Sequence, residues 1–138
     1  MARILLVDDD PVLLDVLRDI LATARYDVVS ATGAREALEL YRRHRPEVVI
    51  TDIFLPDQSG LDLIFEVTRT VGVKVIAMSG GNRNGDLDFL DCAEKFGAWR
   101  VLNKPVRREQ LLSTVADAFA DRFHQPGAAS SRVRSVSA

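Results

Sequence analysis

Two stretches decide how this chain folds: Ile4-Leu5-Leu6-Val7-Asp8-Asp9-Asp10 and Val48-Val49-Ile50-Thr51-Asp52. Each is a short apolar run of strand character that ends in carboxylates. In a parallel sheet such strand ends lie side by side on one edge, so the acids of both runs would converge on one small region. Stability does not ask for this, because like charges brought together repel and raise one another's pKa. A compensating cation is implied, and hard oxygen donors favour Mg²⁺.

Two further apolar runs complete the inventory. Val73-Lys74-Val75-Ile76-Ala77-Met78 ends in the hydroxyl of Ser79, and Trp99-Arg100-Val101-Leu102 ends in Asn103-Lys104-Pro105. Carboxylates, a hydroxyl and an amine at the ends of different strands form a set able to hold a metal ion and a phosphoryl group together.

Between these runs lie helical patterns, and the alternation points to a doubly wound α/β sheet. Asp10 can cap, and Pro11 can open, a helix whose apolar residues recur at Leu13, Val16, Leu17, Ile20 and Leu21. A strand over Tyr26 to Ala31 precedes a helix from about Gly33 to His44 with Ala34, Ala37, Leu38 and Tyr41 inward, stopped by Pro46. The turn-rich Ile53 to Gly60 segment is long enough to reach over the acids, and Ser59 with Asp62 reads as the start of a helix with Leu61, Ile64 and Val67 inward. Gly80 to Gly85 has three glycines and two asparagines, which predicts a mobile loop before a helix near Asp86. A last helix is expected from about Arg108 to Phe123 with Leu111, Leu112, Val115, Phe119 and Phe123 on one side, and with no Ser, Thr or Asp to cap it.

The chain has 138 residues, 47% hydrophobic, enough for one core and too short for two domains. Residues 126–138 carry Arg132 and Arg134 and no acid, so the net charge of −2 becomes −4 over the rest. An acidic globular part disfavours nucleic-acid binding. Cys92 is the single cysteine, which excludes an intrachain disulfide and reads as a structural thiol. The apolar run at the N-terminus is too short for a signal peptide or a membrane span, so a soluble cytoplasmic protein without membrane contact is expected. From Gln125 onward the Pro, Gly, Ala, Ser and Arg composition reads as a disordered tail, giving one domain over 1–124 and a tail over 125–138.

Leu6-Val7-Asp8-Asp9, Asp52 with Leu55-Pro56 and Gly60 after it, Met78-Ser79-Gly80 and Lys104-Pro105 stand in an order and spacing that resembles the receiver domain of two-component response regulators. The likeness covers nearly all of residues 3 to 123 and is closest in kind to single-domain chemotaxis regulators. It implies a flavodoxin-like five-stranded parallel sheet, order 2-1-3-4-5, with five helices. It also implies that Asp52 accepts a phosphoryl group from a phosphohistidine on a histidine kinase or histidine phosphotransfer protein. Mg²⁺ would be held by Asp9, Asp52 and the backbone carbonyl of Phe54, with Asp8 acting through water. Lys104 would meet the phosphoryl oxygens, aimed by a cis bond before Pro105. Ser79 would swing toward the phosphoryl group as a switch, and a downstream protein target would read the change in a monomer or a weak phosphorylation-dependent dimer.

The sequence departs from the family pattern at Val101, three residues before Lys104, where a rotating Tyr or Phe is common. Trp99 shares strand parity with Val101 and is expected on the same surface. Phe54 occupies a position that varies in the family and influences phosphoryl lifetime. Two rival readings remain: a receiver-like interaction module without phosphorylation, and an aspartate-nucleophile phosphatase using Asp8. The second is disfavoured because that family's lysine precedes its Gly-Asp motif, whereas Lys104 follows Gly85-Asp86. A dinucleotide site is disfavoured more firmly, since acids follow the first strand where a glycine-rich turn is required.

Overall fold

A computed structural model describes residues 2–57, 60–80 and 93–121. Its elements run β1 (Arg3–Val7), α1 (Pro11–Thr23), β2 (Asp27–Ala31), α2 (Ala34–His44), β3 (Val48–Asp52), α3 (Gly60–Thr68), β4 (Lys74–Ser79), a helical segment at 93–96 (α4), β5 (Arg100–Asn103) and α5 (Arg108–Ala120). The five strands are all parallel, in the order β2-β1-β3-β4-β5. This is the doubly wound sheet expected from the alternation, in the strand order that the resemblance implied, with each strand matched to within one residue.

Side-chain alternation along the strands builds two cores. Leu5, Val7, Val49, Val75 and Ala77 face one layer with Ala34 and Ala37 of α2, Leu63, Ile64 and Val67 of α3, and Ala93 of α4. Ile4, Leu6, Val48, Ile50, Ile76 and Met78 face the other with Leu14, Leu17 and Leu21 of α1 and Leu111, Val115 and Ala118 of α5. A sheet covered on both faces needs strands apolar at every position, which explains the unbroken runs in the sequence.

Local chemistry sets the helix ends. The Val12 and Leu13 amides donate to Asp10 Oδ1 at 3.0 and 3.3 Å, and Pro11 opens α1 where a missing N–H costs nothing. α2 ends at His44, with Arg45 in the left-handed conformation (φ 48°) ahead of Pro46. α5 starts after Arg107 with no side-chain cap, as expected, and ends at Ala120, short of Phe123, which lies outside the described residues. So do Ser59, the loop from Gly81, the helix expected near Asp86 and the tail expected over 125–138.

Three expectations need correcting. In α1 the buried stripe is Leu14, Leu17 and Leu21, while Val16 is 50% exposed. The helix is rolled so that the i, i+3, i+7 row beginning at Leu14 meets the sheet, and the row through Leu13 and Ile20 is only half-buried. In α3, Leu63 is buried and Leu61 only leans against the core. Trp99 does not share the surface of Val101. It lies one residue before β5, in a bend where strand parity does not apply, and joins Leu102 in the α1/α5 core, whereas Val101 packs on the α2/α3 side. The Trp99 amide donates to Val75 O at 2.7 Å and the Arg100 guanidinium lies 4.1 Å from its ring centre.

The roll of α1 is testable by chemical denaturation. Leu17→Ala should cost about 2–5 kcal/mol through transfer and cavity losses, whereas Val16→Ala should stay within about 0.5 kcal/mol. Equal losses would contradict the face assignment.

Candidate functional site

The strand order dictates the site. β1 and β3 are neighbours, with Val7 in register with Thr51, so the next residues on both strands, Asp8 and Asp52, emerge side by side at the carboxyl edge. β4 lies beyond β3 and ends in Ser79, and β5 lies beyond β4 with Asn103 in register with Ser79. Lys104 comes next, its amide donating to Ser79 O at 2.7 Å, and the Lys104–Pro105 peptide is cis, as the resemblance implied. From there its side chain crosses the end of β4 to the two acids.

Each of the two carboxylates is held at both oxygens. Lys104 Nζ donates to Asp8 Oδ2 at 2.6 Å and to Asp52 Oδ2 at 2.9 Å. The Asp10 amide donates to Asp8 Oδ1 at 2.9 Å and the Phe54 amide to Asp52 Oδ1 at 3.1 Å. Asp8 is fully buried, Asp52 nearly so, and Asp9 exposed. Burial drives the Asp8 carboxyl above its ordinary range despite the hydrogen bonds from Lys104 and the Asp10 amide. Burial also pulls on Lys104 in the direction of the neutral amine, but the hydrogen bonds and charges of Asp8 and Asp52 outweigh it, and its pKa is raised.

Among the described residues one ammonium meets three carboxylates, which leaves their negative charge in excess. Carboxylate oxygens of Asp8, Asp9 and Asp52 all lie within 4.8 Å of one another, an oxygen-only donor set of the kind that suits Mg²⁺. Ser79 Oγ is buried and finds no hydrogen-bond partner among the described residues. A buried hydroxyl is stabilised by an acceptor within reach, so an anionic oxygen at this edge would suit Ser79. The residues present therefore fit both a divalent cation and an anionic group.

The structure brings together the predicted Asp8, Asp9, Asp52, Ser79 and Lys104, with the Phe54 backbone amide donating to Asp52. Val101 stands apart, half-buried on the α2/α3 side and in register with Ala77. Gly60 belongs to the frame of the site: a Cβ there would lie 2.2 Å from the Asp52 carbonyl oxygen, and its amide donates to Ile53 O at 2.7 Å. Asp57 reaches sideways to α2, accepting from the Ala34 and Arg35 amides at 2.9 Å each. Sequence reading missed this contact, although Gly33, a helix start with no capping side chain, was its signal.

The charge pairing predicts a pH dependence. A lysine whose folded pKa is raised contributes stability that is fully present below its ordinary 10.5 and lost as pH rises through the folded value. The raised Asp8 pKa acts oppositely, as a cost at neutral pH that is relieved as pH falls toward its ordinary 3.8. Denaturation free energies of wild type and Lys104→Met should differ most near neutrality, by up to about 3–5 kcal/mol, and converge in strong alkali. A gap that persists there would contradict the pairing.

Residues 4–116 match the response regulator receiver domain. A two-component response regulator of Oryza sativa subsp. indica, ORR21, is 34% identical over 125 residues, covering 89% of this chain and 18% of that protein. One of Arabidopsis thaliana, ARR11, is 35% identical over 111 residues, covering 79% and 21%. The chain thus spans about a fifth of these relatives' length. Among solved structures, a response regulator receiver domain protein of Clostridium thermocellum superimposes with a TM-score of 0.80 at 31% identity, covering 87% of this chain and 95% of that one. A CheY-like receiver domain protein of Methanospirillum hungatei gives 0.81 at 29%, covering 88% and 96%. With the strand order and the acid edge already established, these matches make the chain a member of the response regulator receiver domain family.

Proposed function

We propose that this chain is a phosphoacceptor: Asp52 takes a phosphoryl group from a phosphohistidine on a histidine kinase or histidine phosphotransfer protein, and the resulting change is read by a downstream protein. The observation that carries this reading is the pairing of a charge-deficient acid edge with the orphaned Ser79 hydroxyl beside it. A carboxylate needs no general base to act as a nucleophile. An Asp52 oxygen forms the new O–P bond as the P–N bond breaks and its electron pair returns to the imidazole nitrogen. Lys104, already in contact with Asp52 Oδ2, offsets the charge added to that carboxylate. Ser79 Oγ donates to a phosphoryl oxygen and gains a partner that it lacks among the described residues, drawing the adjoining Gly80 with it.

Asp9 and Asp52, the Phe54 carbonyl and, through water, Asp8 are the residues that would hold Mg²⁺, which when bound supplies Lewis-acid neutralisation of phosphoryl oxygens. The order of Lys104 after Gly85-Asp86 weighs against the phosphatase reading. No helix among the described residues is long and apolar enough to cross a membrane.

Incubation with Mg²⁺ and a small acyl-phosphate donor should add one phosphoryl mass to the wild type and none to Asp52→Asn. Equal mass gain in both would sink the assignment. Asp9→Ala should need more Mg²⁺ for the same yield. The Phe54 side chain, 38% exposed beside Asp52, offers no group to orient a hydrolytic water. Phe54→Asn should therefore shorten the phosphoprotein lifetime by up to about tenfold, or about 1.4 kcal/mol of barrier. An unchanged or longer lifetime after donor removal would refute this role of Phe54.

A further inference from the structure

α2 is capped from an unexpected place. Gly33 at its N-cap has extended backbone (φ −154°) and no side chain, so the first amides of the helix are left for an outside acceptor. Asp57, on the loop after β3, supplies it, one carboxylate oxygen to the Ala34 amide and the other to the Arg35 amide, both at 2.9 Å. The carboxylate also sits at the positive end of the helix dipole. A Cβ on Gly33 would come within 3.0 Å of Asp57 Oδ1, so the absent side chain at 33 is what makes room for the imported cap. A Ser or Asp at 33 would have capped α2 locally, without any link to the acid edge.

That link runs to the reacting residue. At its near end the loop is fixed by the Ile53 amide on Met78 O at 3.1 Å and the Gly60 amide on Ile53 O at 2.7 Å. Its far end is fixed at Asp57. Between them lies Phe54, whose amide holds Asp52 Oδ1 at 3.1 Å. We propose that Asp57 is a positioning residue: by gripping the α2 N-terminus it tensions the segment from Phe54 to Pro56 and thereby sets the Phe54 backbone against Asp52. The effect on phosphorylation rests on the phosphoacceptor reading above; the effect on the Phe54 amide does not.

Two variants separate positioning from mere helix capping. Asp57→Ala removes both roles, while Gly33→Ser in the Asp57→Ala background restores a local cap to α2 and leaves the loop untethered, the space for the new side chain having been vacated. Amide hydrogen exchange at Phe54, measured by NMR on metal-free protein, should speed up in both variants by about fivefold, the equivalent of one ordinary cap. The Mg²⁺ concentration giving half-maximal phosphorylation of Asp52 by acetyl phosphate should rise in both by a similar factor, although thermal stability recovers in the double variant. Return of Phe54 exchange to the wild-type rate in the double variant, or no change in either, would overturn the proposal. If wild-type protein takes no phosphoryl group while Phe54 exchange still responds as expected, the phosphoacceptor reading fails and the positioning of Phe54 by Asp57 stands.

Discussion

The structure at the carboxyl edge depends on one ammonium held between two carboxylates. Asp8 and Asp52 are forced together by the pairing of β1 with β3, and both are almost without solvent. Two such charges persist only with a cation in contact, and Lys104 provides it at 2.6 and 2.9 Å. To do so it must come from β5, two strands away from β3, and span the end of β4. The length of a lysine side chain and the order of the strands are thus matched to one another. Among the described residues, Asp9 adds a further carboxylate without a further cation, and the Ser79 hydroxyl has nothing to donate to.

Rigidity behind this edge comes from the sheet. Each strand that delivers a site residue is packed on both faces, so Asp8, Asp52 and Ser79 inherit positions fixed by Ile4 to Val7, Val48 to Thr51 and Val75 to Met78. In the loop after β3, backbone contacts and one side chain extend that support. Gly60 closes against the Asp52 and Ile53 carbonyls more tightly than any side chain would allow, and Asp57 ties the same loop to a neighbouring helix. Precise geometry at a polar site usually needs such support from outside the contacting groups.

Much of this could be read in the residues. Strand ends were legible because apolar runs stop sharply at acids, and Asp10-Pro11 marked the start of α1 because capping and a fixed φ are local properties. The site residues were legible because they are the polar residues that terminate buried strands. What sequence could not give is what neighbouring elements decide. The roll of α1 depends on how a helix seats on a twisted sheet, so Leu14 displaced Val16. The placement of Trp99 depends on where β5 begins, one residue later than the apolar run suggests. Asp57 carries no mark of its own, since its partners lie more than twenty residues earlier in the chain.

Trp99 is the single tryptophan of the chain, and its position has a spectroscopic consequence. Its indole is buried in the α1/α5 layer beneath the Arg100 guanidinium, which in turn pairs with Asp117 of α5 at 2.7 Å. The intrinsic emission of this protein is therefore a gauge of how α5 sits on the sheet, with the chromophore insulated from solvent and under a cation whose own placement is tied to that helix. A shift in that emission on adding a ligand at the acid edge would register transmission through the sheet to the opposite layer, without any label attached.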